Sequence, residues 1–169
     1  DFTNAAWALS SGTVTTTNNT APNGTATADT IPAGAAASDN IAQTSGTAAA
    51  STQFTGSVWL KTSAGTANVT LSFASTGTAA STDADVTAAV TTTWQRFSVT
   101  KTFGAGTGSL KFIIKHGTSA VVAWGTQLES GVSSPGVYVR TAASTQNGSQ
   151  GVISDGSPAP AVRMVRAFL

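Results

Sequence analysis

Short runs in which apolar and polar residues alternate, separated by Gly, Asn, Ser and Pro, constrain the fold of this chain most strongly. Successive side chains of a β-strand point to opposite faces of its sheet, whereas the periodicity of an amphipathic helix is nearly absent here. The pattern therefore predicts an all-β fold, a two-sheet antiparallel jelly-roll sandwich. The predicted strands cover residues 12–17, 25–31, 40–44, 54–61, 67–73, 86–90, 95–103, 109–115, 121–128 and 137–140.

The same alternation assigns a face to each side chain. Along residues 54–61, Phe, Val and Leu occupy even positions, whereas Ser57, Trp59 and Lys61 occupy odd positions. Because a slip of one residue would invert the two faces, we expect the odd positions to lie outside and the even positions to lie in the core. The predicted core comprises Phe54, Val58, Leu60, Leu71, Phe73, Phe97, Val99, Leu110, Phe112 and Trp124.

Trp59 is the candidate ligand-binding residue, because it is an aromatic side chain on the outer face of a predicted strand. Ser57, Lys61 and Gln53 lie on the same side and supply a hydroxyl, an ammonium and an amide group. This combination suits a sugar ring that stacks on the indole. A neighbouring loop or subunit that covers Trp59 explains the same pattern equally well, so both interpretations stay open.

The charge balance excludes several classes of partner. Charged residues make up 9% of the 169 residues, and the net charge is +1. This leaves no electrostatic footprint for nucleic acid, and no apolar run approaches the roughly 18 residues that span a bilayer. We therefore expect no nucleic-acid partner and no membrane insertion. A sparsely charged surface is poorly protected against association, which favours coverage by neighbouring subunits.

The sequence predicts no enzymatic activity and no catalytic residue. His116 is the only histidine and precedes Gly117, so we expect it to lie in an exposed turn. A Ser–His–acid triad requires a carboxylate that orients the base, and no spacing in this chain indicates one. Asp83 and Asp85 are expected to be solvated loop residues. We expect that no cofactor is required.

The chain divides into a jelly-roll domain over residues 1–141, a flexible connector over residues 142–160 and a docking arm over residues 161–169. The connector is poor in bulky residues, whereas the arm is apolar, and exposed apolar patches mark interaction sites. We expect a homo-oligomer in which the arm packs on a neighbouring subunit. The alternative is an arm that folds back on its own sandwich as an extra edge strand. The predicted interface residues are Val162, Met164, Val165, Phe168 and Leu169.

Several segments of the chain resemble carbohydrate-binding-module-like jelly rolls of tailed-phage structural proteins. Their order and spacing match that family, and Tyr138 and Thr141 follow them as expected. The usual Thr-Arg-Ala-Ala-Asp ending of the family is absent after Thr141, where the connector and the arm stand instead. The matching segments are residues 2–7, 21–31, 57–61, 94–100 and 122–131.

This resemblance implies a domain on the exterior of a phage virion, in a tail, fibre or head-decoration protein. It implies assembly with other virion proteins, as a homotrimer, without enzymatic activity. The alternative that it implies is a receptor module that binds host-surface glycan. Related sugar-binding jelly rolls hold a structural calcium near their terminal strands, and Asp29 lies in a matching segment, so Asp29 is the implied calcium ligand; its alternative roles are capping of a turn and pairing with a nearby cation.

Overall fold

The computed structural model describes residues 2–75, 83–106, 108–140, 146–148 and 163–166. These residues form β-strands and no helix, which confirms the all-β prediction. In the same part of the chain, no helical segment has the length and hydropathy that a membrane crossing requires. The strands are β1 (Trp7–Leu9), β2 (Thr15–Thr20), β3 (Ala26–Ile31), β4 (Asn40–Ala48), β5 (Gln53–Lys61), β6 (Ala67–Ser75), β7 (Val86–Val90), β8 (Gln95–Thr102), β9 (Gly108–Lys115), β10 (Val121–Ser130), β11 (Gln146–Gly148) and β12 (Arg163–Arg166).

The strands form two antiparallel sheets that pack as a sandwich. Sheet I has five strands in the order β1-β4-β9-β6-β7. In sheet II, β5 pairs along one side of β10 and β3 along the other, with β8 outside β5 and β2 outside β3. Because the chain crosses repeatedly between the two sheets, the architecture is consistent with a jelly roll.

The inner faces of the two sheets enclose the main hydrophobic core. Most of the predicted core residues are buried there, which confirms the alternation of faces along β5, β6, β8 and β9. Phe97 is only partly buried and packs against this core. Trp124 points outward and is not part of the main core, so its assignment to the core is wrong.

Gly56 allows the two sheets to approach closely at the centre of the core. It lies on the inner side of β5, against Phe112 and Phe73 of sheet I. A Cβ atom at this position would lie 2.5 Å from Cε2 of Phe112 and 2.7 Å from Cζ of Phe73. The two rings, whose centroids are 5.2 Å apart, therefore pack directly on the backbone of β5.

Two strand assignments are corrected by the structure. Alternation predicts no strand at β1, but β1 begins at Trp7, the last residue of the segment 2–7 that resembles the family's opening strand, and it pairs with β4. Residues 137–140, which were predicted to be a strand, form none. Their backbone bonds to a side chain instead: the N–H of Val139 donates to Oε1 of Gln127 at 2.8 Å, and Nε2 of Gln127 donates to the carbonyl of Val137 at 3.3 Å.

Part of the C-terminal region adds to sheet II. β12 pairs antiparallel with β10, with Arg166 opposite Leu128, and β11 pairs with β12. This pairing within one chain is the arrangement of the alternative, in which the arm forms an extra edge strand; packing on a neighbouring subunit stays a prediction. The described residues exclude Val162, Phe168 and Leu169, and the side chains of Met164 and Val165.

A charged cluster, termed the ionic clasp, joins the two sheets at one edge of the sandwich. Asp85 accepts hydrogen bonds from Nζ of Lys101 at 2.6 Å, from Nζ of Lys115 at 2.8 Å and from Oγ of Ser72 at 2.6 Å. Lys101 belongs to sheet II and its side chain is only 7% exposed, whereas Lys115 and Ser72 belong to sheet I. Asp85 is thus an exposed loop residue, as expected, but it is paired with two lysines and is not simply solvated.

Candidate functional site

Residues 132–140, termed the strap, cross the outer face of sheet II and cover part of it. The N–H of Gly136 donates to Oε2 of Glu129 at 2.9 Å, and Nη1 of Arg96 donates to the carbonyl of the same glycine. Nη2 of Arg96 donates to Oγ of Ser57 at 2.9 Å. Ser57 is fully buried and its hydroxyl accepts a hydrogen bond from Arg96, so Ser57 does not lie on a surface that a ligand could contact.

A β-bulge in β10 turns Trp124 toward this outer face. Trp124 lies opposite Trp59 of β5, but the next paired position joins Gln127 to Ser57, so β10 contains one extra residue. Gly125 lies in the bulge with φ at +63°, a left-handed conformation that costs glycine nothing. Residues at directly paired positions share a face of the sheet, so Trp59 and Trp124 lie together on the outside.

Four partly exposed rings gather at this outer face and are termed the aromatic face: Trp59, Trp94, Trp124 and Tyr138. The ring centroids of Trp124 and Tyr138 are 4.6 Å apart. Trp94 and Trp124 pack on a small apolar cluster that contains Val122. The other described aromatic side chains lie in the main core or against it, so the aromatic face collects every described ring that the core does not use.

Hydrogen bonds fix two of the three indoles. Nε1 of Trp124 donates to Oγ1 of Thr27 at 3.0 Å, and Nε1 of Trp94 donates to the carbonyl of Thr20 at 3.0 Å. Nε1 of Trp59 is buried and has no hydrogen-bond partner among the described residues. Packing alone therefore holds Trp59 in place.

Tyr138 of the strap lies near Trp59, on the other side of Gly125. A Cβ atom on Gly125 would lie 3.3 Å from Cδ1 of Trp59 and 3.3 Å from Cε2 of Tyr138, so both rings lie against this glycine. A segment of the same chain therefore approaches Trp59, and both interpretations of this residue, a ligand contact and a covered side chain, stay predictions. Part of the Trp59 ring stays exposed beside this segment.

Positive charges surround the aromatic face. Nζ of Lys61 lies 5.1 Å from the centroid of the Trp94 ring, within the range of a cation–π interaction. Burial raises the pKa of Tyr138, and the positive charges of Arg140 and Arg96 oppose this rise. Lys61, a predicted ligand contact, therefore lies beside the rings together with Arg96 and Arg140, for which the sequence pattern gives no signal.

Gln53 and Asp29, two further residues selected from the sequence, lie away from the aromatic face. Gln53 is on the same side of β5 as Trp59, but six residues separate them by about 20 Å along the strand. Asp29 is 6% exposed, and its Oδ2 accepts a 2.7 Å hydrogen bond from the N–H of Phe2. Among the described residues, no three His, Cys, Asp or Glu side chains form a group that would hold a metal ion. Calcium binding by Asp29 stays a prediction.

His116 is buried, which corrects the expectation that it lies in an exposed turn. Its side chain is 1% exposed, and Nδ1 lies 3.3 Å from the carbonyl oxygen of Ser119. Nε2 is buried without a hydrogen-bond partner in the described part of the chain. Burial lowers the pKa of the imidazole, because the charged form loses hydration. A closed position of this kind gives no support to a role as a catalytic base.

Comparison with known proteins shows what kind of sandwich this is. No protein-family model and no curated protein matches the sequence. A solved CBM4 structure matches with a TM-score of 0.52 at 17% identity, over 74% of this chain and 94% of that chain. The CBM22-1–GH10 modules of a Clostridium thermocellum endo-1,4-beta-D-xylanase, complexed with xylohexaose, match with a TM-score of 0.56 at 16% identity, over 73% of this chain and 26% of that chain.

A phage protein is also similar in structure. The enzymatically active domain of tailspike protein 4 from bacteriophage CBA120 matches with a TM-score of 0.51 at 20% identity, over 75% of this chain and 20% of that chain. Identities this low show a common fold, and they do not by themselves identify a ligand or a location. The chain therefore has the β-sandwich fold of carbohydrate-binding modules, and the virion setting stays a prediction.

Proposed function

We propose that this domain binds carbohydrate through the aromatic face and has no catalytic role. The observation that carries the proposal is the gathering, on one face of sheet II, of every described aromatic ring outside the core. Aromatic side chains offer large, rigid apolar surfaces, and the N–H and O–H groups at their edges add hydrogen bonds. This combination fits a pyranose ring, which has an apolar face and a rim of hydroxyl groups.

Polar groups that suit sugar hydroxyls border the rings. Thr27, which accepts the hydrogen bond from Trp124, is exposed, and its Oγ1 lies 2.7 Å from Oγ1 of the exposed Thr25. The likeness to a CBM4 structure and to modules complexed with xylohexaose supports the same proposal. Trp59, Trp124 and Lys61 are then the principal ligand contacts.

Substitution of Trp124 tests the proposal directly. A glycan array probed with the intact chain first identifies the strongest ligand, whose affinity is then measured by isothermal titration calorimetry. We expect Trp124→Ala to lower this affinity about tenfold, because about 60 Å² of lost apolar contact corresponds to about 1.5 kcal/mol. Ile113→Ala, on the outer face of sheet I, is the matched control and should leave the affinity unchanged. An array without a bound glycan, or equal losses in both variants, would contradict the proposal.

A second candidate function is assembly on a virion exterior, as the resemblance implies, and one observation favours it. β12 adds to the edge of sheet II beside β10. An edge that accepts this strand from its own chain has the same hydrogen-bonding groups for a strand from a second copy. The nineteen residues of the connector (142–160) span up to about 60 Å when extended. On this basis we propose a homo-oligomer, a homotrimer as in the resembling family, that contacts other virion proteins.

Deletion of residues 161–169 tests the assembly role. Light scattering should give an oligomeric mass for the intact chain and a monomeric mass for the deletion variant, because the exchanged strand is lost. A monomeric intact chain at high concentration, or an oligomer that survives the deletion, would contradict this candidate.

A further inference from the structure

We infer that the aromatic face selects acidic saccharides, sugars that carry a carboxylate or a sulfate group; this inference rests on the proposed carbohydrate binding. The charges around the face are its basis. Lys61 contacts the Trp94 ring, while Arg96 and Arg140 act on Tyr138. Glu129, on the same side of sheet II, is 1% exposed and is bonded to the strap. Among the described residues at this face, three cationic side chains stand against this one carboxylate, so their formal net charge is positive.

Lys61 is the group best placed to meet a ligand anion. Its Nζ lies 5.1 Å from the centroid of Trp94, and no described residue accepts a hydrogen bond from it. The attraction between a cation and a ring restricts the ammonium group but leaves its net charge unchanged. The three N–H donors of the ammonium therefore remain for a ligand.

The other described lysines show how different this position is. Lys101 and Lys115 are both paired with Asp85, at 2.6 Å and 2.8 Å. Lys111 lies on the outer face of sheet I, opposite Ala74. Within the described chain, an ammonium group that lies over an aromatic ring and has no carboxylate partner occurs at Lys61 and nowhere else.

Exposed carboxylates of the described chain form hydrogen bonds or ion pairs with residues other than Lys61. Asp39 accepts hydrogen bonds from Oγ of Ser10 at 3.0 Å and from the N–H groups of Ala35 at 2.7 Å and Ala36 at 3.0 Å. These bonds lower the pKa of Asp39 on balance, the contact with Ala36 most. Because such carboxylates do not neutralise Lys61, its charge is left for a ligand.

The spacing of the strands brings ring and cation within reach of one sugar unit. Lys61 lies two positions beyond Trp59 on the same side of β5, about 7 Å along the strand. Val122 lies opposite Lys61 and two positions before Trp124 on β10. A pyranose ring that stacks on Trp124 therefore presents an acidic substituent toward Nζ of Lys61. Arg140, which is exposed, offers a cation to a second sugar unit.

The test compares an acidic oligosaccharide with its neutral ester. A galacturonic acid hexamer and its methyl-esterified form share ring and linkage but differ in charge, and a sulfated form of the neutral hexamer distinguishes sulfate from carboxylate. On a glycan array we expect acidic glycans to dominate the set bound by the intact chain. We expect the acidic hexamers to bind more tightly than the ester, and this advantage should shrink when salt is raised to about 0.5 M, because salt screens exposed charges.

Lys61→Met identifies the residue that carries this selectivity. It should lower the affinity for an acidic glycan about fivefold, the upper range for an exposed ion pair, and should lower the affinity for a neutral glycan by less, because a neutral ligand loses no ion pair. Lys111→Met, on the outer face of sheet I, is the matched control and should change neither affinity. Three results would each overturn the inference. The glycans bound on the array could be mostly neutral, the acidic hexamers could bind no more tightly than the ester, or Lys61→Met could leave the affinity for an acidic glycan unchanged. If Trp124→Ala still lowers the affinity for the bound glycan in those cases, the proposed function stands; an array without a bound glycan overturns both.

Discussion

Sheet I and sheet II share one core, but their outer faces differ in composition and in cover. On sheet I, Ala42 lies opposite Ile113 and Thr70 opposite Thr87, and no described aromatic side chain points outward there. On sheet II, the outer positions carry Trp59 opposite Trp124, and the strap lies over the adjoining part of the face. The outer face of sheet I carries no described aromatic ring, whereas the outer face of sheet II carries several, so ligand binding is proposed for sheet II alone.

Polar side chains at outward positions also differ in their exposure to solvent between the two sheets. Lys111 and Lys115 of sheet I are partly exposed, as alternation predicts. Thr55 and Gln127 of sheet II occupy equivalent outward positions but are 0% and 1% exposed, because the strap supplies their hydrogen-bond partners. Alternation along a strand therefore tells which face a side chain takes, whereas exposure depends on what the rest of the chain places over that face.

Among the substitutions that test this difference between the sheets, Arg96→Met should change the free energy of unfolding most. The guanidinium donates to the carbonyl of Gly136 and to Oγ of Ser57, and hydrogen bonds to charged groups contribute about 1.5–3 kcal/mol each. Because one side chain donates both hydrogen bonds, their contributions are not fully additive, and we expect the free energy of unfolding in urea to fall by about 3 kcal/mol. Lys111→Met on sheet I should change it by less than about 0.5 kcal/mol. Equal effects of the two substitutions would show that the strap does not stabilise sheet II.

The sequence predicts the sandwich and most of its core, but it misplaces Trp124 for a specific reason. In an unbroken strand, positions 124 and 128 share a face, and Leu128 is a core residue. The extra residue between Trp124 and Gln127 shifts this phase by one, so Ala123 and Leu128 face inward while Trp124 faces outward. Gly125, inside the apolar run, is the one signal in the sequence, since an isolated glycine in a strand suggests a bulge.

Gly125→Ala tests whether the bulge builds the aromatic face. A left-handed backbone costs a residue with a Cβ atom about 1–2 kcal/mol, and this Cβ would lie 3.3 Å from both Trp59 and Tyr138. We expect the free energy of unfolding to fall by about 2 kcal/mol and the fluorescence of the tryptophans to change. Gly65→Ala is the matched control, because Gly65 also has a positive φ, at +65°, but its Cβ would meet nothing within 4 Å. If both variants lose the same stability and keep the same fluorescence, crowding at the bulge has no role.

Other features cannot be predicted from the alternation of apolar and polar residues, because they depend on contacts between segments that are distant in the sequence. Arg96 lies in a predicted strand and Glu129 directly follows one, and neither shows a role in the sequence because each contacts Gly136 only through the path of the strap. Lys101 did carry a signal: it shares a side with Val99 and Phe103, so a buried ammonium had to find a carboxylate. The ionic clasp supplies that carboxylate, Asp85, from the side of sheet I.

Asp85→Asn should have the smallest effect of the three, with a characteristic dependence on pH. Burial acts to raise the pKa of Asp85, but hydrogen bonds from Lys101, Lys115 and Ser72 lower it well below its usual range. A lowered pKa means that the carboxylate stabilises the fold above about pH 4 and that this contribution disappears as the pH falls toward the folded-state pKa. We expect a loss of about 1 kcal/mol at pH 7, because asparagine keeps an accepting oxygen and the pair is partly solvated.

Urea unfolding of Asp85→Asn and of the unsubstituted chain at several pH values measures this contribution. The difference between the two should be largest near neutral pH and should narrow below pH of about 4, where the carboxylate begins to bind protons in the unfolded chain. Double-mutant cycles then divide it: coupling of Asp85 to Lys101, 7% exposed, should exceed coupling to Lys115, 39% exposed, because water screens the exposed pair. Equal couplings, or a difference that does not depend on pH, would mean that the clasp acts through packing and not through its charges.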